Sequence, residues 1–439
     1  MKPRPDLPGG PYLVVGLARS GQAAALALRA RGEEVIGVDA AAPEGAGRLA
    51  DAGVEVQLDT PGGDLVTRAR TLVKSPGVPA DAPAIVAARE RGLTVIGELE
   101  LAWRLIPNEF IAVTGTNGKT TTTELLGHIH REAGLPVAVA GNVGTAAASL
   151  AGALDPGAVV VCEASSFQLE DTELFSPEAA VLLNVSEDHL DRHGTLDAYL
   201  AAKLRAFANQ GNDDVAVLPD DLVIEDAGGC ARRVCVGETG KAELALRAGE
   251  LWWAEEPLLA ADEVRLRGPH NLRNAMAGAA VALARGVDRD AVRAALRTFA
   301  GVPHRLEEVA ERDGVLYVND SKATNVASTL VALRSFEAGG VHLIAGGRAK
   351  GSGFEALREP VARACAAVHL IGEAADDLAV ALEGAAPLHR SGDLETAVAQ
   401  ARRAARPGEV VLLSPACTSF DQFPDFEARG ERFRALVGD

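Results

Sequence analysis

The segment Ile111-Ala112-Val113-Thr114-Gly115-Thr116-Asn117-Gly118-Lys119-Thr120-Thr121-Thr122 decides the fold and suggests the chemistry of this chain. Its apolar start predicts a buried strand, its glycines a tight turn, and its end a helix running to about Arg131. Such a turn aims backbone N–H groups and a helix N-terminus at one point, where an anion is stabilised. Lys119 adds a positive charge that can bind terminal phosphates, and Thr120 offers a hydroxyl that can bind Mg²⁺. The general P-loop pattern requires glycine in place of Val113, so only a narrower variant, TGTNGKT, fits. We therefore predict a nucleotide-phosphate site; the alternative is a glycine-rich turn that caps an ordinary helix.

Composition narrows the setting in which this chain works. Its 439 residues are 48% hydrophobic, enough for a large core and about three domains. The net charge of −18 argues against a general nucleic-acid surface or an anionic membrane as partner. No run approaches the about 18 apolar residues of a membrane span, and the N-terminus lacks an apolar signal core. Five scattered cysteines, odd in number, fit a reducing cytoplasm. The oligomeric state is not indicated by the sequence, and a monomer is the default expectation.

Lysine is rare in this chain, and the few lysines mark candidate sites. Of 43 basic residues only seven are lysine, the remainder being arginine. Lysine is a compact charge with a titratable amine, whereas arginine is a planar fork that stays charged. A lysine retained among arginines therefore indicates a place where arginine cannot substitute. The seven are Lys2, Lys74, Lys119, Lys203, Lys241, Lys322 and Lys350, and we assign no role to Lys2 or Lys241.

Three parts can be distinguished, and together they predict an α/β protein of three domains. In the first, residues 1–97, a strand over 12–16 precedes a helix, and a second strand ends at Asp39. This is a Rossmann-like opening in which Asp39 suits a sugar or base hydroxyl. Ala18 replaces the middle glycine of GxGxxG, so the match is weak. Lys74-Ser75-Pro76-Gly77 forms another polar turn at a strand end.

The second part, residues 98–302, is predicted to be a mostly parallel sheet of the P-loop ATPase type. A buried strand ends at Glu163, whose carboxylate can reach Mg²⁺ if the strand lies beside the loop. The alternative is a carboxylate facing solvent. The polar segment 186–194 contains His189 and follows another strand, and 199–203 is predicted to begin a helix. Gly268 to Asn274 caps an alanine-rich helix that ends near Ala284.

The third part, residues 303–439, is predicted to be a second Rossmann-like open sheet. Three polar segments follow its strands: 319–325, 346–351 and 414–423. Ligands of open parallel sheets bind beyond the carboxyl ends of the strands. The lysines and hydroxyls there would suit a dicarboxylate. Helix N-caps would explain the hydroxyls but not the lysines.

The ordered motifs resemble the signature of the Mur ligase family over nearly the whole chain, from Val14 to about Arg429. They are TGTNGKT, EASSFQL, NVSEDHLDRHG, YLAAK, GPHNLRNA, HRLE, NDSKATN, GGRAKG and LLSPACTSFDQF. NDSKATN and SPACTSFDQF are similar to those of members that add D-glutamate to UDP-N-acetylmuramoyl-L-alanine. The resemblance implies an ATP-dependent ligase of peptidoglycan precursor synthesis, working through an acyl phosphate.

The resemblance also implies an ATP site with two Mg²⁺ ions. Contacts to ATP are implied for Gly115, Thr116, Asn117, Gly118, Lys119, Thr120, Thr121, Asn274, Arg305 and Asp320, the last three as the third domain closes. Catalytic roles are implied for Lys119, Glu163, His189 and Lys203, and contacts to metal for Thr120, Glu163, His189 and Lys203. An ammonium has no lone pair for a metal, so the family implies that Lys203 is carbamylated. Without the family, Lys203 would be read as a lysine on a helix surface.

The two organic substrates are assigned residues by the same resemblance. For the UDP substrate these are Gly16, Leu17, Ala18, Arg19, Ser20, Gly21, Asp39, Ser75, Asn142 and His189. For D-glutamate they are Lys322, Thr324, Lys350, Ser419 and Phe426. The chain departs from the family after Asp39, where Ala40, Ala41 and Ala42 replace polar or basic residues expected near the uracil.

Three alternatives remain open from the sequence. The nearest is another amino-acid ligase, such as a folylpolyglutamate-synthase-like enzyme, which would share TGTNGKT and the carbamate. The second is a nicotinamide dehydrogenase built on the N-terminal unit, which leaves the phosphate loop without a role. The third is a non-catalytic nucleotide switch, which would leave the lysines of the third part without a role.

Overall fold

A computed structural model describes residues 2–224, 226–239, 242–266, 268–336, 339–349 and 353–438, apart from the side chain of Asp191. The chain forms two compact units, Met1–Phe299 and Ala300–Asp439. The first unit contains two sheets and the second contains one. The α/β class and the three mostly parallel sheets predicted from the sequence are confirmed. The division of the first unit into two domains near Gly97 stays a prediction.

The N-terminal sheet has five parallel strands in the order β3-β2-β1-β4-β5. They are β1 (Tyr12–Val15), β2 (Val35–Val38), β3 (Glu55–Gln57), β4 (Thr71–Lys74) and β5 (Thr94–Gly97). Tyr12 and Val14 pack in one apolar cluster, and Leu13 and Val15 in another. Because alternate side chains of a strand point to opposite faces, both faces of this sheet are covered. The strand order reverses at β1, so the turns after β1 and β4 form a ligand-binding crevice.

The central sheet has nine strands in the order β14-β13-β12-β11-β10-β9-β6-β8-β7. They are β6 (Phe110–Thr114), β7 (Val137–Gly141), β8 (Val159–Glu163), β9 (Ala179–Leu182), β10 (Val215–Pro219), β11 (Arg232–Gly237), β12 (Leu244–Arg247), β13 (Glu250–Trp253) and β14 (Glu256–Ala260). In this order, neighbouring strands from β7 across the sheet to β12 run parallel to each other. The β12–β13 and β13–β14 pairs, at the other edge, are antiparallel. β6 lies between β8 and β9, so the turn that follows it is flanked by the turns of both neighbours.

The sheet of the second unit has six strands in the order β15-β16-β20-β17-β18-β19. They are β15 (Glu307–Arg312), β16 (Val315–Asn319), β17 (Val341–Gly346), β18 (Cys365–Ile371), β19 (Leu388–Gly392) and β20 (Val410–Leu413). Only the β15–β16 pair is antiparallel among these. The last strand enters between β16 and β17, which brings the three polar segments of this part to one edge.

Helices cover the sheets and separate most of the strands. They are α1 (Arg19–Ala30), α2 (Arg48–Asp51), α3 (Pro83–Glu90), α4 (Glu98–Leu105), α5 (Lys119–Glu132), α6 (Ser166–Leu169), α7 (Leu190–His193), α8 (Leu196–Leu204), α9 (Pro269–Ala284), α10 (Arg289–Thr298), α11 (Val326–Leu333), α12 (Arg358–Ala364), α13 (Ala375–Ala381), α14 (Leu394–Ala404) and α15 (Phe426–Gly438). Among the described residues, no helix has the length and apolar character needed to cross a membrane.

The helix predicted over 199–203 is present, but its predicted start at Tyr199 is three residues too late. α8 begins at Leu196, because the Thr195 side chain accepts a hydrogen bond from Ala198 N and caps it. Lys203 therefore lies in the last turn of α8, where it is buried rather than on the surface.

Candidate active site

The turn between β6 and α5 has the geometry of a phosphate-binding loop. Gly118 precedes α5 with φ +84°, and a Cβ built there would lie 2.1 Å from Asn274 Oδ1. Glycine is therefore required both by the backbone angle and by the close approach of α9. The Lys119 ammonium folds back over the turn and donates to Gly115 O at 3.0 Å and Thr116 O at 2.8 Å. The loop, Lys119 and Asn274 thus lie together, and their contacts to ATP stay a prediction.

A second turn, after β9, holds the loop in shape. Thr116 N donates to Asn184 O at 3.0 Å, and Asn117 N donates to Asn184 Oδ1 at 2.9 Å. Asn184 Nδ2 donates back to Asn117 O at 3.0 Å. One asparagine therefore fixes the backbone of the loop through three hydrogen bonds. Sequence reasoning did not assign a role to Asn184, although its place directly after a strand beside β6 was the available signal.

Lys203 lies beneath the loop and is 1% exposed. Its ammonium donates to Gly115 O at 2.7 Å and lies 4.1 Å from the centre of the Tyr199 ring. Burial, reinforced by the charge of Lys119, lowers the pKa of the Lys203 amine from 10.5 to about 7. Two amines thus meet at one carbonyl, and the buried one is readily deprotonated.

Glu163 ends β8 next to the loop, and its side chain is buried rather than facing solvent. It lies opposite Val113 in the parallel register of β6 and β8. Asn142 Nδ2 donates to Glu163 Oε1 at 3.1 Å, and Arg19 Nη2 donates to Asn142 O at 3.4 Å. A carboxylate beside a phosphate loop, oriented by an amide, has the oxygen donors that Mg²⁺ prefers. Among the described residues, no three His, Cys, Asp or Glu side chains group as metal ligands.

His189 lies on the polar segment after β9, in a left-handed conformation with φ 52°. Its ring centre is 4.7 Å from that of Phe167, and its side chain is 47% exposed. Arg192, on the same segment, stacks on Phe167 at 4.1 Å, donates to Pro76 O at 3.0 Å and pairs with Glu170. Arg192 thus joins the His189 segment to the turn after β4. Phe167 and Arg192 were not assigned from the sequence.

A cavity of about 510 Å³ opens at the carboxyl edge of the N-terminal sheet. Seven predicted residues line it: Gly16, Ala18, Arg19, Ser20, Asp39, Ser75 and Asn142. The wall of the cavity also includes four residues that were not predicted from the sequence as site residues: Pro61, Pro76, Val78 and Gln168. The cavity follows the strand-order reversal at β1, where a nucleotide is expected in this type of sheet.

Three residues that were also predicted to bind the UDP substrate do not line the cavity: Leu17, Gly21 and His189. Leu17 is buried in the core, and its N–H donates to Asp39 Oδ2 at 2.6 Å. Asp39 Oδ1 accepts from Ala41 N at 2.9 Å, so this carboxylate organises two turns. A Cβ at Gly21 would lie 1.8 Å from Gly16 O, which shows that Gly21 permits close packing of α1 on the turn.

A buried ion pair ties the turn after β4 to the central sheet. Lys74 is fully buried, and its ammonium lies 2.5 Å from Asp171 Oδ2 and 3.8 Å from Glu170 Oε1. Gly97 N also donates to Asp171 O at 2.8 Å. The cavity and the His189 segment are therefore parts of one packed structure. The ion pair also gives a structural role to Lys74, one of the seven lysines that the composition singled out.

In the second unit, Asp320 lies at the end of β16. Ser414 Oγ donates to its Oδ2 at 2.7 Å, and Leu306 N to its Oδ1 at 3.2 Å. Burial raises the pKa of the Asp320 carboxyl to about 7, against the effect of these hydrogen bonds. Because Leu306 follows Arg305, this carboxyl holds the Arg305 turn against the sheet.

Four of the five residues predicted for D-glutamate can be located on the same unit. Lys322 and Thr324 are half-buried after β16, Ser419 is buried after β20, and Phe426 begins α15. Lys322 N donates to His304 O at 3.0 Å, and Phe426 O accepts from Ser321 Oγ at 2.8 Å. Lys350 lies outside the described residues. The three polar segments follow β16, β17 and β20, which are neighbours in the sheet.

A phosphate loop on a mostly parallel sheet, with a buried carboxylate and a buried amine beside it, defines a nucleotide-dependent α/β enzyme. Three family models match the chain: "Mur ligase MurD-like, N-terminal domain" at 11–97, "Mur ligase middle domain" at 113–282 and "Mur ligase, glutamate ligase domain" at 304–417. The chain belongs to the Mur ligase family, whose members are ATP-dependent ligases that form amide bonds.

Relatives agree with this assignment over the full length. The chain is 44% identical to the UDP-N-acetylmuramoylalanine--D-glutamate ligase of Acidobacterium capsulatum, covering 98% of this chain and 97% of the relative. It is likewise 44% identical to the ligase of that name from Geotalea uraniireducens, covering 97% and 96%. The solved structure of UDP-N-acetylmuramate-alanine ligase from Thermotoga maritima matches with a TM-score of 0.57 at 20% identity, covering 98% and 100%. That likeness supports the fold.

Proposed function

We propose that this protein is an ATP-dependent ligase that adds D-glutamate to UDP-N-acetylmuramoyl-L-alanine in peptidoglycan precursor synthesis. The observation that carries the proposal is 44% identity, over 98% of the chain, to a ligase named for this reaction. The phosphate loop, the cavity of the N-terminal sheet and the lysine-bearing edge of the second unit provide one candidate site for each substrate. We further propose a monomer working in the cytoplasm, with domains at 1–97, 98–302 and 303–439.

Activation of a carboxylate is the chemical need that the loop would serve. Amide formation from a free carboxylate is unfavourable in water, so the carboxylate of UDP-N-acetylmuramoyl-L-alanine receives the γ-phosphoryl group of ATP. The amine of D-glutamate then attacks the acyl carbon, the C–N bond forms, and phosphate leaves with loss of a proton from nitrogen. Phosphoryl transfer needs positioning and charge neutralisation more than covalent help. The N–H groups of residues 115–121 and the Lys119 ammonium would supply both.

The donor set beside the loop fits Mg²⁺. Thr120 is in the first turn of α5, and the buried Glu163 carboxylate is held by Asn142. Protein Mg²⁺ sites commonly use one or two carboxylates and complete the shell with water and phosphate oxygens. Bound Mg²⁺ neutralises charge on the phosphate oxygens during transfer. We assign one ion to Thr120 and Glu163, and a second to His189 and carbamylated Lys203.

The environment of Lys203 supports its carbamylation. A neutral amine attacks CO₂, forms an N–C bond and loses one proton, which leaves an anionic carbamate. The pKa of about 7 makes the neutral amine abundant at neutral pH. The remaining N–H can keep its hydrogen bond to Gly115 O. A buried cation thereby becomes a carboxylate-like metal ligand, which arginine cannot become.

The remaining residues are proposed for recognition. The cavity residues and Asp39 would hold the UDP portion, with His189 and Asn142 near the reacting end. Asn274, Arg305 and Asp320 would contact ATP, and Lys322, Thr324, Lys350, Ser419 and Phe426 would contact D-glutamate. Lysines with hydroxyls suit the two carboxylates of this amino acid.

Phosphate release from ATP and Mg²⁺ with UDP-N-acetylmuramoyl-L-alanine, measured across a panel of D- and L-amino acids, tests the proposal. We expect turnover with D-glutamate alone. Turnover with another amino acid, or with a folate substrate in place of the UDP substrate, would keep the ligase mechanism and reject the assigned reaction. Nucleotide binding without any turnover would favour a nucleotide switch.

A further inference from the structure

Arg429, in the first turn of α15, is buried beneath the carboxyl edge of the second unit's sheet. It is 1% exposed. Its Nε donates to Ser321 Oγ at 2.9 Å, and its Nη2 donates to Ser321 O at 2.9 Å and to Cys417 O at 3.1 Å. One guanidinium therefore joins the segment after β16, which carries Lys322, to the segment after β20, which carries Ser419.

The third polar segment also approaches this side chain. A Cβ built at Gly347 would lie 3.2 Å from Arg429 Nη1, so the turn after β17 packs against the guanidinium without a side chain between them. Ser321 Oγ accepts from Arg429 and donates to Phe426 O at 2.8 Å. The arginine thus touches all three segments at the edge of the sheet.

Arg429 forms no ion pair with a carboxylate among the described residues, although the charge of Asp421 acts on its guanidinium from beyond ion-pair distance. Its partners in the described chain are two carbonyls and a hydroxyl, Nη1 has no hydrogen-bond partner there, and no ion pair involves it. Burial lowers the pKa of this guanidinium to about 10, so it stays charged at neutral pH. An unpaired buried charge costs stability. Its retention is easier to explain by a role in ligand binding than by folding.

We propose that Arg429 is a positioning residue for the amino-acid substrate: it fixes the spacing between the segments that carry Lys322 and Ser419 and adds positive potential under a dicarboxylate. The inference rests on the proposed function, because the ligand at this edge is taken to be D-glutamate. Lysine is a poor substitute, since it lacks the planar fork that reaches Ser321 and Cys417 at once.

The test compares Arg429→Met, Arg429→Lys and Ser321→Ala with the wild-type protein in the phosphate-release assay. Arg429→Met should raise KM for D-glutamate by about 10- to 100-fold, as expected for hydrogen bonds to a charged group. KM for ATP and for the UDP substrate should stay within about 2-fold, since typical surface or distant changes are small. Arg429→Lys should recover part of the loss, and Ser321→Ala should raise KM for D-glutamate less, by about 3- to 10-fold.

A second readout separates positioning from loss of folded enzyme. The ratio of kcat/KM for D-glutamate to that for the shorter D-aspartate does not depend on the fraction of active protein. Altered spacing should lower this ratio, whereas simple destabilisation should leave it unchanged. Arg432→Met is the matched control, because Arg432 lies on the same helix, is exposed and pairs with Glu395.

The outcomes are distinguishable. Absence of D-glutamate turnover by the wild type would overturn the proposed function itself. Normal wild-type turnover, with an unchanged D-glutamate KM and substrate ratio in Arg429→Met, would overturn only the positioning role. If Arg429→Met does not fold, as judged by circular dichroism, Ser321→Ala carries the test with the same criteria.

Discussion

Replacing Lys203 by arginine tests the chemistry proposed beside the phosphate loop. At pH 7 an amine with a pKa of about 7 is roughly half neutral, whereas one at 10.5 is neutral to only ~0.03%. The buried site thus raises the reactive fraction by roughly 10³-fold. Arginine keeps the positive charge but stays protonated, so it cannot form a carbamate. We expect Lys203→Arg to lose at least about 100-fold in kcat, the order found when an electrostatic stabiliser is removed.

Two measurements follow the modification and the activity separately. Wild-type protein equilibrated with ¹³C-bicarbonate should give a carbamate resonance that is absent from Lys203→Arg. Lys203→Ala should be inactive, yet partly restored by a small carboxylate such as acetate in the vacated space. Lys2→Arg is the control, because Lys2 pairs with Asp214 away from the loop and should tolerate the change.

Full turnover by Lys203→Arg would refute the proposed carbamate, because a permanently charged side chain at this position would then be enough for catalysis. A carbamate resonance unaffected by the substitution would place the modification on another amine. In the unmodified protein the sign of the pH effect is fixed: the folded-state pKa is depressed, so stability falls as pH drops from about 10.5 towards 7. Carbamylation should remove part of that loss.

Three further predictions concern the loop, the buried ion pair and a buried histidine. Gly118→Ala places a Cβ 2.1 Å from Asn274 Oδ1 at a positive φ, so phosphate release should fall by at least about 100-fold while circular dichroism stays unchanged. Lys74→Met leaves the buried Asp171 carboxylate without its partner and should lower the free energy of unfolding in urea by about 3–5 kcal/mol. The double variant Lys74→Met with Asp171→Leu should recover most of this lost stability. A loss below about 1 kcal/mol in Lys74→Met would contradict the argument from burial. Burial lowers the pKa of His369 from 6.5 to about 4, so His369→Phe should be more acid-resistant than wild type. The difference in Tm should grow as pH falls from 6.5 to about 4 and be constant above 7; a constant difference throughout would contradict it.

The sequence predicted those parts of the candidate site that depend on local pattern. The apolar run before Gly115 and the helix after Lys119 are visible within one window, so the loop could be placed. Glu163 could be placed because it ends a buried strand, and parallel strand ends meet at one edge.

Other parts depend on contacts between residues far apart in the chain. Asn184 bonds to Asn117, 67 positions earlier, and Arg429 bonds to Ser321, 108 positions earlier. Neither partner is marked by periodicity or composition. Lys203 could not be predicted as buried from its own helix, because its burial comes from packing beneath the Gly115 turn.

Asn142 belongs at once to the N-terminal cavity and to the hydrogen bond that orients Glu163. A ligand that displaces or holds this amide necessarily acts on the carboxylate proposed for Mg²⁺. Thermodynamic linkage makes such coupling reciprocal: the factor by which the first substrate tightens nucleotide binding equals the factor by which nucleotide tightens the first substrate. One shared amide would thereby couple the occupancies of the two sites, and its removal would weaken that coupling.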